Sequence, residues 1–338
     1  MDDNLKQWIE LSLKAPSGDN AQPWKIYFDN SCFYVSIDEV LANHFLDQNF
    51  ASSWISIGAL YENLEQCSES FGFSCKSEYI DDMTIKVSYQ KINKKVNQTI
   101  IDTIRSRLTF RGKLRTTDWR ISSQELGELS WGQKNRIPKD LIKDWAELET
   151  LLWLKTPLMK DFTKWVHPWI NGYQDGLSIK NLMLNTFDSI SLLSFKFFPM
   201  LIRLVPRFFF QFNTEMRLNY LLDNSAGVIF LSGKGVASKD FFNVGRSVQK
   251  TWLELTQAKL RAQPLAIQSL YFTYLENPVN HRYLTQSDMN RVKEIKKKTL
   301  KVLNIEGEIL YMLRFGSNDE QVQLMPRKKL ELFLKTKL

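Results

Sequence analysis

Apolar positions along the chain change period several times, and the changes mark its elements. Leu5, Trp8, Ile9, Leu11 and Leu13 fall broadly at helical spacing, which predicts a helix over 3–14 stopping at the turn cluster Ala15-Pro16-Ser17-Gly18-Asp19-Asn20. Residues 24–28 and 32–37 then alternate as two strands across Asp29-Asn30-Ser31. From Phe50 to Phe71 the period returns to helical: Trp54, Ile57, Tyr61, Leu64, Cys67 and Phe71 recur at three- and four-residue steps, and Gly72 stands where a C-terminal stop belongs. A second strand pair reads over 74–79 and 83–89 across Asp81-Asp82, and a further helix over 96–107.

The stretch 115–180 reads as helix and loop, rich in tryptophan. The apolar run 227–231 predicts a buried strand. Residues 242–260 form a second long helix with Val244, Val248, Trp252, Leu255 and Ala258 on one face, and 310–315 a late strand before Gly316. Strands and long helices interleave, which argues α+β. No Gly-, Ser- or Pro-rich linker marks a boundary. Laying Gly58 on Gly245 also sets Gly72 opposite Lys259; beyond that the two regions share almost no identity, so duplication is a suspicion only.

The apolar stretch Ser189–Phe212 is interrupted by Lys196, Arg203 and Arg207 and broken by two prolines, which excludes a spanning helix. A membrane-surface segment, a lid and a core segment all remain open for it, with core or lid favoured because aromatic side chains bury well without lipid. The N-terminal residues lack the basic start and apolar run of a signal peptide.

Composition sets the outer limits. The chain has 338 residues, 43% of them apolar and 24% charged, which is ordinary for a globular protein and excludes a wholly disordered or fibrous one. At roughly 150 residues per domain, this length is one large domain or two ordinary ones. The net charge of +8 is dilute and comes with no nucleic-acid-binding signature; it would equally draw anionic small molecules. Its densest run, 291–301, reads as a solvated helix face. Three cysteines (Cys32, Cys67, Cys75) without a C-x-x-C argue against disulfides and structural zinc and fit a reducing compartment, so the expected location is cytoplasmic. His44, His167 and His281 show no metal spacing and read as surface or packing residues.

Nucleophile elbows, Walker loops, dinucleotide fingerprints and zinc-protease motifs are all missing from the sequence, and no spacing singles out an acid–base pair. Three polar clusters remain. The loop Ala15–Trp24 combines Pro, Gly, Ser, Asn and Gln, a set able to present amides and hydroxyls to a heteroaromatic ring. Its bland alternative is a helix end followed by a turn. Arg107, Thr109 and Arg111 alternate, so extended backbone would aim two guanidiniums and a hydroxyl to one side as a phosphate clamp; a solvated basic loop is the alternative. Pro326-Arg327-Lys328-Lys329 alone would be a tail.

Taken together, these clusters resemble the FMN-dependent nitroreductase family, and within it the longer single-chain branch of Acg and MoeY-type proteins. The family loop A-P-S-x-x-N-x-Q-P-W is matched by Ala15–Trp24, and its R-R-[ST]-x-R motif by 107–111 except at Leu108. The long branch's D-G-L is similar to Asp175-Gly176-Leu177. The second central helix and its Q-P turn are similar to Gly245, Gln249, Trp252, Leu253, Thr256, Gln263 and Pro264, and the terminal motif to Arg327–Glu331. Lys259 stands where the family usually has Gly, and Lys329 where it has Pro.

The resemblance implies an α+β nitroreductase-like sandwich, here a single-chain pseudo-dimer. Its halves would be 1–95 and 96–338, the latter with a lid-like insertion around 185–215. Ordinary members are homodimers whose interfacial FMN sites take Arg residues from one subunit and the loop from the other. Each cluster occurs once in this chain, so one FMN is expected. Arg107, Thr109, Arg111, Arg327 and Lys328 would hold the phosphate and ribityl chain. Pro16, Ser17, Asn20 and Gln22 would face the isoalloxazine edge, with Pro264, Leu265 and Ala266 along the ring. No side-chain acid is required, because the flavin carries the chemistry, and no metal is implied. The expected activity is NAD(P)H-dependent reduction of a small acceptor by a monomer or weak oligomer. A flavin-sequestering protein with little turnover and, third, a tailoring oxidase are the other readings.

Overall fold

The structure is a computed structural model that describes residues 2–29, 31–42, 45, 47–121, 129–169, 172–274 and 283–335. Helix α1 (Asp3–Ser12) is capped by the Asp2 carboxylate and buries Leu5, Trp8, Ile9 and Leu11. Strands β1 (Trp24–Asp29) and β2 (Cys32–Ile37) pair antiparallel, and a short α2 (Glu39–Ala42) leads to α3 (Ala51–Cys67). A 3-10 turn and Gly72, at φ +83°, then end the helix where the sequence predicts a stop. Strands β3 (Phe73–Asp81) and β4 (Thr84–Lys91) complete a four-stranded sheet of order β1-β2-β4-β3, followed by α4 (Gln98–Ser106).

The rest of the chain repeats that plan with insertions. After β5 (Ser130–Lys134) come α5 (Lys139–Leu154), α6 (Thr156–Thr163), the parallel pair β6 (Val166–His167) and β7 (Leu177–Ser178), α7 (Ile179–Leu182), α8 (Thr186–Phe197) and α9 (Arg207–Asp223). Strand β8 (Gly227–Gly233), α10 (Ser238–Gln257), β9 (Leu260–Pro264), α11 (Ala266–Tyr274), α12 (Gln286–Leu303) and β10 (Glu308–Ser317) follow. The second sheet has the order β5-β8-β10-β9. In both sheets the first strand lies beside the second, the second beside the fourth and the fourth beside the third, all antiparallel, with a long helix between the second and third.

The fold is therefore α+β, with the two long helices crossing at its centre. All seven positions of β8 are buried, because Ile229 and Leu231 face the cluster around α3 and α10 while Val228 and Phe230 face α5 and α12. That explains an unbroken apolar run where a one-sided strand would alternate. Each sheet also borrows backbone from outside its own strands. The Ile26 N–H donates to Phe333 O (2.9 Å) and the Lys335 N–H to Ile26 O (3.0 Å), while the Phe110 N–H donates to Ala262 O of β9 (2.9 Å).

Three expectations change. The helix predicted to end at 260 ends at Gln257, and β9 begins at Leu260. The stretch 115–180 contains β5, an edge strand whose sequence S-W-G-Q-K lacks apolar alternation. The basic run 291–301 lies on helix α12 but is not simply solvated. Arg291 pairs with Asp144 and Glu147, and Lys296 is buried, donating to Phe272 O (3.3 Å) and pairing with Glu308.

The segment 189–212 folds as α8, a 3-10 turn (Pro199–Leu204) and the start of α9. Only Leu192, Ile202 and Phe210 of it are buried, so it is not core. Among the described residues no helix is long and apolar enough to cross a membrane.

Candidate cofactor site

The loop between α1 and β1 is held in a costly backbone conformation. Asp19, Asn20 and Gln22 have φ of 46°, 58° and 57°, all left-handed and none of them glycine. Asn and Asp tolerate this region better than Gln does, and clusters of such residues persist only when their surroundings enforce them. Here the enforcement comes from the far end of the sequence. The Gln22 amide nitrogen donates to Asn20 O (3.1 Å) and Gln174 O (2.8 Å), and its carbonyl oxygen accepts the Lys328 N–H (2.9 Å). Asn20 Nδ2 donates to Pro326 O (3.3 Å), and Arg327 Nη1 donates to Asn20 Oδ1. Ser17 Oγ accepts the Gln22 N–H (3.0 Å).

The same bracing reaches the Asp175-Gly176-Leu177 motif. Lys328 Nζ lies 2.8 Å from Asp175 Oδ2, and Asp175 Oδ1 lies 3.8 Å from His167 Nε2, whose ring stacks on Tyr173 at 3.7 Å. Gly176, at φ +72°, passes so close that a Cβ there would sit 2.3 Å from His167 Nε2 and 2.5 Å from Trp165 O. Only glycine fits. His44 and His281 lie outside the described residues.

Behind the loop sits positive charge, Arg107 and Arg327, that no carboxylate among the described residues offsets. Arg107 is 6% exposed, donates to Lys14 O (2.9 Å), and its guanidinium stacks 4.8 Å from the Trp252 ring centroid. Its Nε is buried with no hydrogen-bond partner. Burial pushes Arg107 down to about 10, and burial with Arg107 nearby pushes Arg327 down to about 9. Among the described residues no carboxylate pairs with either guanidinium. Burial also lowers Arg111, which Asp19 partly offsets, while Arg111 donates to Asn181 O (3.3 Å). A buried guanidinium with one donor unsatisfied, set near enough to a second to depress it, fits an anionic group such as a phosphate.

These walls enclose a cavity of about 1010 Å³. Of the residues the sequence predicts, Pro16, Ser17, Thr109, Arg111, Pro264, Leu265 and Ala266 line it. Asn20, Gln22, Arg107, Arg327 and Lys328 stand behind the lining, where Asn20, Gln22, Arg327 and Lys328 lock loop to tail and Arg107 backs Trp252. Leu108 is half-buried beside them. Lys259 keeps the left-handed backbone, φ +57°, that a glycine would take at that point.

Sequence reasoning missed other parts of the wall. Tyr311 lines the cavity close enough to Arg107 for each to shift the other; burial pushes its hydroxyl up while Arg107 opposes the rise. In L-Y-M-L-R-F it reads as one more apolar strand residue. Arg314, on the same strand and fully buried, donates to Gln263 Oε1 (2.7 Å), Leu221 O (3.1 Å) and Gly112 O (2.8 Å), which fixes 109–113 against β9 and β10. Glu149, 5% exposed, pairs with Arg217 and accepts from Gln268 Nε2 (2.9 Å); all three line the cavity. Their partners lie on other helices, so no local signal could have found them. The opposite wall is apolar, with Trp153, Phe187, Leu192, Phe195, Phe209 and Phe210 from α5, α8 and α9.

No protein-family model matches the chain, and no curated protein is significantly similar to it.

Proposed function

We propose that the cavity holds one FMN per chain and that the protein is an FMN-dependent oxidoreductase resembling nitroreductases. It would carry hydride or electrons from NADH or NADPH to a small nitro, quinone or enone acceptor. The observation that carries this reading is the convergence of the loop residues Pro16, Ser17 and Pro23, of Thr109 and Arg111, and of 263–266 on one cavity, with Arg107 and its unsatisfied Nε behind it. Arg107, Arg111, Arg327 and Lys328 would supply charge to the phosphate, Thr109 a hydroxyl, and Pro264–Ala266 a wall for the ring beside Ser17. The flavin, when bound, supplies the redox chemistry, and the protein supplies orientation and electrostatics. The repeated strand order supports reading the fold as a nitroreductase-like pseudo-dimer within one chain. Three free cysteines, Cys32, Cys67 and Cys75, support a cytoplasmic location.

A second reading is favoured by the cover that α8 and α9 place over the cavity: a protein that sequesters FMN with little turnover. One experiment separates the two. The purified protein is scored for bound flavin, with one per chain expected; two per chain, or none after incubation with FMN, rejects the proposal. It is then mixed with NADH or NADPH without oxygen. Rapid bleaching supports the reductase, and a flavin that stays oxidised supports sequestration.

A further inference from the structure

From Ser189 to Thr214 the chain contains no carboxylate, and its only charges are Lys196, Arg203 and Arg207. The fold turns this stretch outward. Phe208, Phe212, Met216 and Tyr220 recur every four residues along α9, and Leu204 precedes them at the same interval. These five are 74%, 60%, 55%, 52% and 77% exposed respectively. In the preceding segment Phe197, Phe198 and Met200 are 59%, 65% and 74% exposed. The opposite side of α9 buries Phe210, Thr214, Leu218, Leu221 and Leu222. Isolated exposed apolar residues are ordinary, but eight of them between Phe197 and Tyr220 mark a contact surface.

Charge identifies the occupant. A second copy docked through a two-fold axis would set this face on itself, bringing together two copies of a stretch whose charges over 197–220 are Arg203, Arg207 and Arg217 against the single acid Glu215. Arg207 reaches Glu147 at 3.5 Å yet stays 60% exposed, and Arg203 is exposed. Exposed aromatic side chains accompanied in sequence by exposed arginines, on a helix whose other side is buried, are what an anionic bilayer surface takes up. We propose that the outer face of 197–220 docks on the surface of a membrane rich in negatively charged phospholipid, without crossing it. Phe209, Met216 and Tyr220 also line the cavity, so docking brings the cavity wall to the lipid. This inference stands on the surface alone and is independent of what the cavity binds.

The test is flotation of the full-length chain with vesicles. Phosphatidylcholine mixed with an equal part of phosphatidylglycerol should carry the protein, and phosphatidylcholine alone should carry it at least about 10-fold less well. Added salt should weaken binding to the mixed vesicles. Phe208→Asp with Phe212→Asp should abolish flotation, and Arg203→Gln with Arg207→Gln should reduce it about 10-fold on mixed vesicles and little on neutral ones. All four side chains are exposed, so urea midpoints should match the parent. No binding to the mixed vesicles overturns the proposal, as does binding unchanged by the aspartate pair. A dimer in sedimentation that the aspartate pair dissociates would give the face to a second copy instead.

Discussion

Gly58 and Gly245 meet each other's helices at reciprocal points. A Cβ on Gly58 would lie 2.0 Å from Phe242 O, and one on Gly245 would lie 2.0 Å from Ile55 O. Phe242 precedes Gly245 by three residues and Ile55 precedes Gly58 by three, so exchanging α3 and α10 leaves the contact unchanged. Fourteen residues after each glycine, Gly72 and Lys259 both take left-handed backbone, and a strand starts at the next residue. The crossing works only because neither helix carries a side chain there.

Alanine at either glycine should therefore be severe. Backbone oxygen at that distance cannot rotate aside, so Gly58→Ala and Gly245→Ala should each cost about 3 kcal/mol as the helices are forced apart. The double variant should cost less than the sum, because the second methyl enters a gap the first has opened. Urea unfolding checks both; a loss within about 0.5 kcal/mol would remove the close crossing as an explanation.

Lys259→Gly should act in the opposite direction. Lys259 is exposed and sits at φ +57°, so its side chain has little to lose and its backbone is strained. Relief of a left-handed non-glycine residue, less the added freedom of glycine when unfolded, is about 1 kcal/mol. The melting temperature should rise by about 2 °C.

On the proposed reading, Arg107 would trade stability against ligand. Arg107→Met removes a buried, unpaired charge while keeping a long side chain against Trp252, so the flavin-free protein should gain about 1 kcal/mol. Flavin retention should fall about 10-fold or more, the loss of one charge-assisted contact. Arg327→Ala should weaken retention similarly, and Arg105→Ala, at an exposed position, should not. Equilibrium dialysis against FMN reads all three; retention at the parent level in Arg107→Met would reject the phosphate assignment.

His167 gives a pH dependence. Burial lowers its folded pKa, Asp175 only partly restores it, and Lys196 adds to the depression. An unfolded histidine takes its proton near pH 6.5. Below that value the unfolded chain binds a proton that the folded one still refuses, so stability falls as pH drops from about 6.5 toward the lower folded pKa. His167→Gln should flatten that part of the profile, measured as urea midpoints between about pH 7.5 and 5.5. A slope identical to the parent's would assign the effect elsewhere.

Much of the fold was legible because one-sided elements write their period into sequence. The helices at 3–14 and 50–71, the strand pairs flanking the first of the long helices, and the buried strand at 227–231 all stand where the pattern puts them. Edge strands such as β5 were not legible, since an edge needs few apolar contacts and S-W-G-Q-K carries no alternation. The outward face of α9 could not be told from a lid or core segment, because Phe208 and Phe212 look like core in any one-dimensional pattern; only packing shows which way they point. At the candidate site, the loop and the arginine motif could be seen, but not the tasks of Asn20 and Gln22. Their partners lie at 326–328, and no local spacing encodes a contact across 306 residues.

The order in which the chain is made gives that contact a further meaning. The loop at 16–23 leaves the ribosome early, yet two groups that hold its left-handed turns come much later, Arg327 being 307 residues after Asn20 and Lys328 306 after Gln22. Until then Gln22 has only Ser17, Asn20 and Gln174 to hold it, and the contact between loop and tail does not exist. A nascent chain thus lacks this bracing, and on the proposed reading ligand capture would be a checkpoint passed only by molecules whose two distant segments have met.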